Sequence, residues 1–91
     1  MKFTLEVGEV EKHTIEFNIN QLLGQMTIKV NRQEIKRHSW LLAEPVNETH
    51  HIQVGKVEKT NIRIEKERKQ LFGQKCRVFL NDRLYKCYVG V

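Results

Sequence analysis

Two cysteines, four histidines and a lone Ser39-His38 neighbour pair are the residues that could react or hold a metal. If Asn81-Asp82 is a two-residue turn, Cys76 and Cys87 face each other directly across a hairpin, with Val78 opposite Tyr85. Counted from the turn, the cysteines form a hydrogen-bonded pair whose Cα atoms stand about 5.5 Å apart. That distance suits a disulfide, but the side chains at such a pair diverge from the Cβ approach a disulfide needs. The expectation is two reduced, small core residues. With no C-x-x-C spacing, two cysteines do not make a zinc site. His50 and His51 are neighbours, so on a strand they point to opposite faces, and His13 and His38 fall near strand ends. No nucleophile and orienting partner accompany any histidine, and Ser39 lacks a G-x-S-x-G setting. Gly8, Gly24, Gly55, Gly73 and Gly90 are scattered singly, which excludes a glycine-rich phosphate loop. The reading is no catalytic residue, no metal and no cofactor.

Binding chemistry is better represented. The chain carries 16 basic and 11 acidic residues, a net charge of +5. The excess gathers in Lys56, Lys59, Arg63, Lys66, Arg68, Lys69, Lys75 and Arg77. Such a segment attracts phosphates by counterion release, so a small β domain binding nucleic acid is the alternative function. Against it, Glu58, Glu65 and Glu67 dilute the charge, and Phe72 is the first aromatic residue for a base to stack on. A solvated hairpin with charged gatekeepers is the expected structure of this segment. Trp40, beside Lys36 and Arg37, either closes a small core with Leu41 and Leu42 or stacks on a partner. In the last hairpin, Phe79, Leu84 and Tyr88 share the face opposite Cys76 and Val78, together with Arg77 and Lys86. If uncovered, that stripe is a surface for a protein partner or for self-association into a homodimer.

The elements that carry these residues read as strands. Phe3, Leu5 and Val7 alternate with polar neighbours, as do Ile15, Phe17 and Ile19, then Met26, Ile28 and Val30, then Ile62 and Ile64, and finally Cys76, Val78 and Leu80. Period-two alternation marks antiparallel strands with one buried face. Turn signals at Gly8, Asn20 to Gly24, Asn31-Arg32, the Pro45 turn, Gly55, Gly73 and Asn81-Asp82 divide the chain into about eight strands, at 2–7, 12–19, 25–30, 33–38, 49–54, 57–66, 74–80 and 83–89. A length of 91 residues fits one domain, so residues 1–91 are expected as a single all-β antiparallel sandwich of two four-stranded sheets. No apolar run reaches the roughly 20 residues of a membrane helix, and the alternation from Lys2 to Glu6 is no secretory signal. No low-complexity linker and no clear internal repeat stand out.

The order of these motifs resembles the Fas apoptosis inhibitory molecule family. The carriers are His13-Thr14-Ile15-Glu16-Phe17, a loop with Gly24, the run Ile28 to Ile35 followed by Trp40, then Thr49 to Gly55, the strand Asn61 to Ile64, and the closing hairpin from Asn81-Asp82 to Tyr88. The likeness is to the family's amino-terminal domain, in single copy. It implies an all-β, non-enzymatic, cytosolic module that works through protein contacts. Members are linked to protection from receptor-triggered death and to binding misfolded proteins. They usually carry two such domains, and the tight turns here read Asn-Arg and Asn-Asp where a glycine is typical.

Overall fold

The computed structural model describes residues 1–40, 45–69 and 73–90. Leu41, Leu42, Glu44 and Phe72 lie outside the described residues. The strands are β1 (Lys2–Val7), β2 (His13–Asn20), β3 (Gln25–Val30), β4 (Gln33–Ser39), β5 (Asn47–Val54), β6 (Thr60–Arg68), β7 (Gln74–Leu80) and β8 (Arg83–Gly90). They form two four-stranded antiparallel sheets in simple meander order, β1-β2-β3-β4 and β5-β6-β7-β8. The chain divides into two compact units, residues 1–44 and 45–91, each holding one sheet. The all-β class, four strands per sheet and most strand bounds agree with the alternation. The largest difference is β6, which starts at Thr60 because Lys56, Val57 and Glu58 bend away after Gly55.

In the first unit the alternation becomes a buried face of Phe3, Leu5, Val7, Ile15, Phe17, Ile19, Met26 and Ile28. Phe3 and Phe17 sit opposite each other in the ladder and stack with ring centroids 5.0 Å apart. Gly24 closes the turn into β3 at φ +64, and a Cβ there would come within 2.8 Å of the Trp40 carbonyl oxygen. The Trp40 N–H donates to the Gly24 carbonyl at 3.0 Å, which ties the end of β4 back to the start of β3.

The second unit buries Ile52, Val54, Ile62, Ile64, Cys76 and Val78. Its buried face also contains His50, Lys66 and Gln74, the last two at 1% and 0% exposure. Gly55 holds φ +96, and a Cβ at that position would collide with the Glu58 carbonyl. Only glycine accepts both conditions without strain.

Aligning the strands reveals a repeat that the unaligned sequence hides. Val7-Gly8-Glu9-Val10-Glu11-Lys12 returns as Val54-Gly55-Lys56-Val57-Glu58-Lys59, and Gln21-Leu22-Leu23-Gly24-Gln25 returns as Gln70-Leu71-Phe72-Gly73-Gln74. The hairpins repeat in geometry as well. Asn31 and Arg32 have φ 51 and 70, and Asn81 and Asp82 have φ 50 and 68. Both residues of each turn are left-handed, the form that matches the twist of a two-residue hairpin. Asparagine and aspartate adopt it more readily than other side chains. Each turn asparagine also staples the neighbouring strand. Asn31 N–H donates to the Thr14 carbonyl (2.8 Å) while Thr14 N–H donates to Asn31 Oδ1 (2.9 Å). Asn81 and Asn61 repeat the exchange at 2.8 and 2.9 Å.

Candidate functional site

Both hairpins contain a β-bulge, between Ile28 and Lys29 in the first and between Val78 and Phe79 in the second. Near the second turn Leu80 pairs with Arg83 and Phe79 with Leu84, as a two-residue turn requires. Beyond it Val78 pairs with Lys86, so Tyr85 is the extra residue. One inserted residue exchanges the two faces of the strand from that point on. Cys76 therefore pairs with Tyr88 and Cys87 with Arg77. The cysteines do not face each other: Cys76 is buried, Cys87 is exposed, and both are free thiols. The expected Phe79, Leu84 and Tyr88 stripe is broken for the same reason. Phe79 and Leu84 share the open face, while Tyr88 turns to the face of Cys76, where burial pushes its hydroxyl pKa up. Arg77 stays with Phe79, and Lys86 moves to the face of Val78 and Tyr88. Trp40 belongs to the first unit, half-buried against Gly24 and with its ring centroid 6.2 Å from that of His38.

What the bulge produces is an unusual edge strand. Among the described residues β8 pairs with β7 alone, and every residue from Arg83 to Cys87 is exposed, so both of its faces meet solvent. Its open face carries Leu84, Cys87 and Val89, with Phe79 beside Leu84. Its other face carries Arg83, Lys86 and Tyr88. Leu84, Tyr85 and Val89 are 58%, 52% and 70% exposed. An open edge with apolar side chains is a template for another strand. The equivalent edge, β4, has the same exposure and different chemistry: Ile35 is its one exposed large apolar residue. There the Arg37 guanidinium donates to both carboxylate oxygens of Glu34 at 2.8 and 3.1 Å. That hydrogen bonding holds the Glu34 carboxyl below the usual carboxylate range and raises Arg37. Tyr85 and Ile35, the two bulge residues, carry no glycine or proline signal that would have revealed them in the sequence.

The basic segment is not assembled into one surface. Lys66 is buried, opposite Glu48 on β5 and Cys76 on β7. Arg63 lies 3.1 Å from Glu65, 2.8 Å from Asp82 and 4.1 Å above the Phe79 ring. Arg77 reaches Glu65 at 3.3 Å and Glu67 at 3.9 Å. Lys56, Lys59, Arg68 and Lys69 are exposed, and Lys75 is half-buried. On the same open face, His51, Gln53, Asn61, Arg63 and Asp82 line a shallow depression of about 440 Å³. Its counterpart in the first unit, about 410 Å³, is lined by Thr14, Glu16, Asn31 and Arg32. Sequence reasoning also missed the polar part of the buried face, where His50 Nε2 lies 2.6 Å from Glu48 Oε1. The signal was present, since Lys66 continues the inward alternation of Ile62 and Ile64. Among the described residues no cluster of three or more His, Cys, Asp or Glu is placed to hold a metal, and no helix is long and apolar enough to cross a membrane.

A family model described as Fas apoptotic inhibitory molecule (FAIM1) matches residues 2–89, nearly the whole chain. No curated protein matches.

Proposed function

The chain belongs to the Fas apoptotic inhibitory molecule family, and from that premise we propose that it is a non-enzymatic, cytoplasmic protein-interaction module whose docking element is β8. The observation that carries the reading is the contrast between two equivalent edges. β4 is polar and internally paired by Glu34 and Arg37, whereas β8 exposes Leu84, Tyr85 and Val89 and has one free side for backbone pairing. Strand addition there supplies main-chain hydrogen bonds for affinity and side-chain contacts for selectivity. The likeness to proteins that bind misfolded chains supports it, because such chains expose unpaired extended segments. Nucleic-acid binding by the basic segment gains no support from the buried Lys66 or from Arg63 and Arg77, which are held by carboxylates.

The test replaces Tyr85 and Val89 together by lysine, the residue natural sheets use to blunt an edge. Both positions are exposed, so the thermal melt should not change. Wild-type and Tyr85→Lys/Val89→Lys proteins are immobilised, exposed to native lysate, and the retained proteins are identified by mass spectrometry. The proposal expects a set of proteins held by wild type and lost by the variant. An identical set on both proteins removes β8 as the docking element.

A further inference from the structure

We infer that β8 accepts an extended segment in which acidic residues alternate with apolar ones. This inference rests on β8 being the docking edge and concerns the chemistry of what docks there.

The first observation is where the charge sits. Residues 1–44 hold six basic and six acidic residues, while residues 45–91 hold ten and five, so the net +5 belongs wholly to the unit that carries β8. A field of one sign steers oppositely charged segments toward the surface that bears it. The second is which charges remain unneutralised. β7 and β8 contain no acidic residue at all, and Asp82 in the turn between them is held by Arg63 at 2.8 Å. Glu65 and Glu67 on β6 hold Arg63 and Arg77. Among the described residues neither Arg83 nor Lys86 has an ion-pair partner; Lys86 Nζ lies 5.2 Å from the Tyr88 ring centroid.

The third observation is the sorting of residues by face. Three residues apart, Arg83 and Lys86 would fall on opposite sides of a regular strand. The Tyr85 bulge brings them to one side, leaving Leu84, Cys87 and Val89 on the other. A strand laid along β8 sends successive side chains to alternate faces. Its residues on one side meet two cations and a tyrosine ring; those on the other meet an apolar row. Acid–apolar alternation satisfies both sides, since opposite charges across a ladder stabilise and like charges do not. A second copy fits poorly: β8 against β8 would bring Arg83 and Lys86 toward the same cations, and the single acid of β4, Glu34, already holds Arg37.

The experiment measures fluorescence anisotropy with three fluorescein-labelled peptides of about ten residues, alternating Glu/Val, Thr/Val and Lys/Val. The Glu/Val peptide should bind at least about tenfold more tightly than Thr/Val, with Lys/Val weakest. The preference should shrink as salt rises from about 0.05 to about 0.5 M. Arg83→Gln/Lys86→Gln should lower Glu/Val binding to the Thr/Val level, while Lys56→Gln/Lys59→Gln, equal in charge removed, should leave it unchanged. If Glu/Val and Thr/Val bind equally and Tyr85→Lys/Val89→Lys abolishes Thr/Val binding, the edge stands and the acidic occupant is overturned. If no peptide binds, both readings fall. Equal loss in the two glutamine variants shows attraction to overall charge and overturns the inference. Full competition by a single-stranded oligonucleotide also overturns it, since a site for strands has no use for a bare phosphate chain.

Discussion

Residues 1–40 and residues 45–90 run through the same four-strand meander, with the same left-handed turn, the same asparagine staple and the same bulge. They differ in what is hung on that backbone. Where the first unit buries Phe3, Ile19 and Met26, the matching positions of the second hold His50, Lys66 and Cys76. On the open face Glu16 and Arg32 answer to Arg63 and Asp82, so the signs are exchanged. The edge strands part in the same way, one polar and self-paired, the other apolar and basic. The comparison separates two kinds of information. A few residues whose backbone demands are strict (Gly8 and Gly55, Gly24 and Gly73, Asn31 and Asn81) are the same in both units. The differences fall at positions that meet only side chains, although some of these, such as Val7 and Val54 or Ile15 and Ile62, also match, and the candidate function lies among the differing ones.

The largest test of this separation exchanges the buried rows. Ile19 in β2 and Lys66 in β6 occupy matching places, at 2% and 1% exposure. Lys66 stands directly opposite Glu48, whereas Ile19 sits in an apolar row beside Met26. Ile19→Lys should cost more than about 4 kcal/mol, because an ammonium would be buried in that apolar row. Lys66→Met removes a buried cation and leaves Glu48 at a side-chain exposure of 15%, for a loss of about 1–3 kcal/mol. Adding Glu48→Gln to Lys66→Met should recover most of that loss. Urea unfolding of the three variants measures all of this. If Ile19→Lys cost no more than Lys66→Met, the two buried faces would be interchangeable and the comparison would lose its main contrast.

The staples come next. Asn81→Gly keeps the left-handed backbone and deletes the acceptor for the Asn61 N–H, for about 1 kcal/mol; Asn81→Ala adds the strain of φ 50 and should cost about 2 kcal/mol. Asn31→Gly should cost somewhat more than Asn81→Gly, because the Asn31 amide also meets His13 Nδ1 at 2.9 Å, and His13 Nε2 in turn lies 2.9 Å from Glu11. Thermal melts of the two glycine variants and of their combination check the order. The combined loss should equal the sum, since the two staples share no partner.

The limits of sequence reading follow from the same details. The inner and first strands of each sheet were legible because one buried face imposes period two, while β4 and β8, which have no buried residue, were placed by the Asn-Arg and Asn-Asp turns that precede them. The repeat is faint in the sequence, because Val7 to Lys12 and Val54 to Lys59 match in short blocks and the spacing to the next matching block, Gln21 to Gln25 and Gln70 to Gln74, differs between the two halves. Face assignment failed at the bulges. Tyr85 and Ile35 look like ordinary strand residues, and an extra residue leaves no chemical mark. That one insertion parted Cys76 from Cys87 and Tyr88 from Phe79 and Leu84. Lys66 was misplaced for another reason: a lysine in a charged run reads as solvated, although alternation with Ile62 and Ile64 put it on the buried face.

The smallest expected effect concerns the exchanged charges on the open faces. The ion pair of Arg63 with Asp82 has good geometry at 2.8 Å, but the Asp82 side chain is 89% exposed, so solvent screens it. Asp82→Asn keeps a residue that tolerates φ 68 and removes only the charge. It should cost no more than about 0.5 kcal/mol, and the cost should vanish in about 1 M salt. Moving the pair into the first unit as Glu16→Arg/Arg32→Asp should change stability by a similarly small amount, because the Asn31 staple is untouched and aspartate accepts the φ of 70 held by Arg32. A change above about 1 kcal/mol in either variant, measured by urea unfolding at low and high salt, would mean that the open-face charges help to set the hairpin geometry. The charge reversal would then be part of the backbone plan, and the surface chemistry of the two units could not have diverged freely.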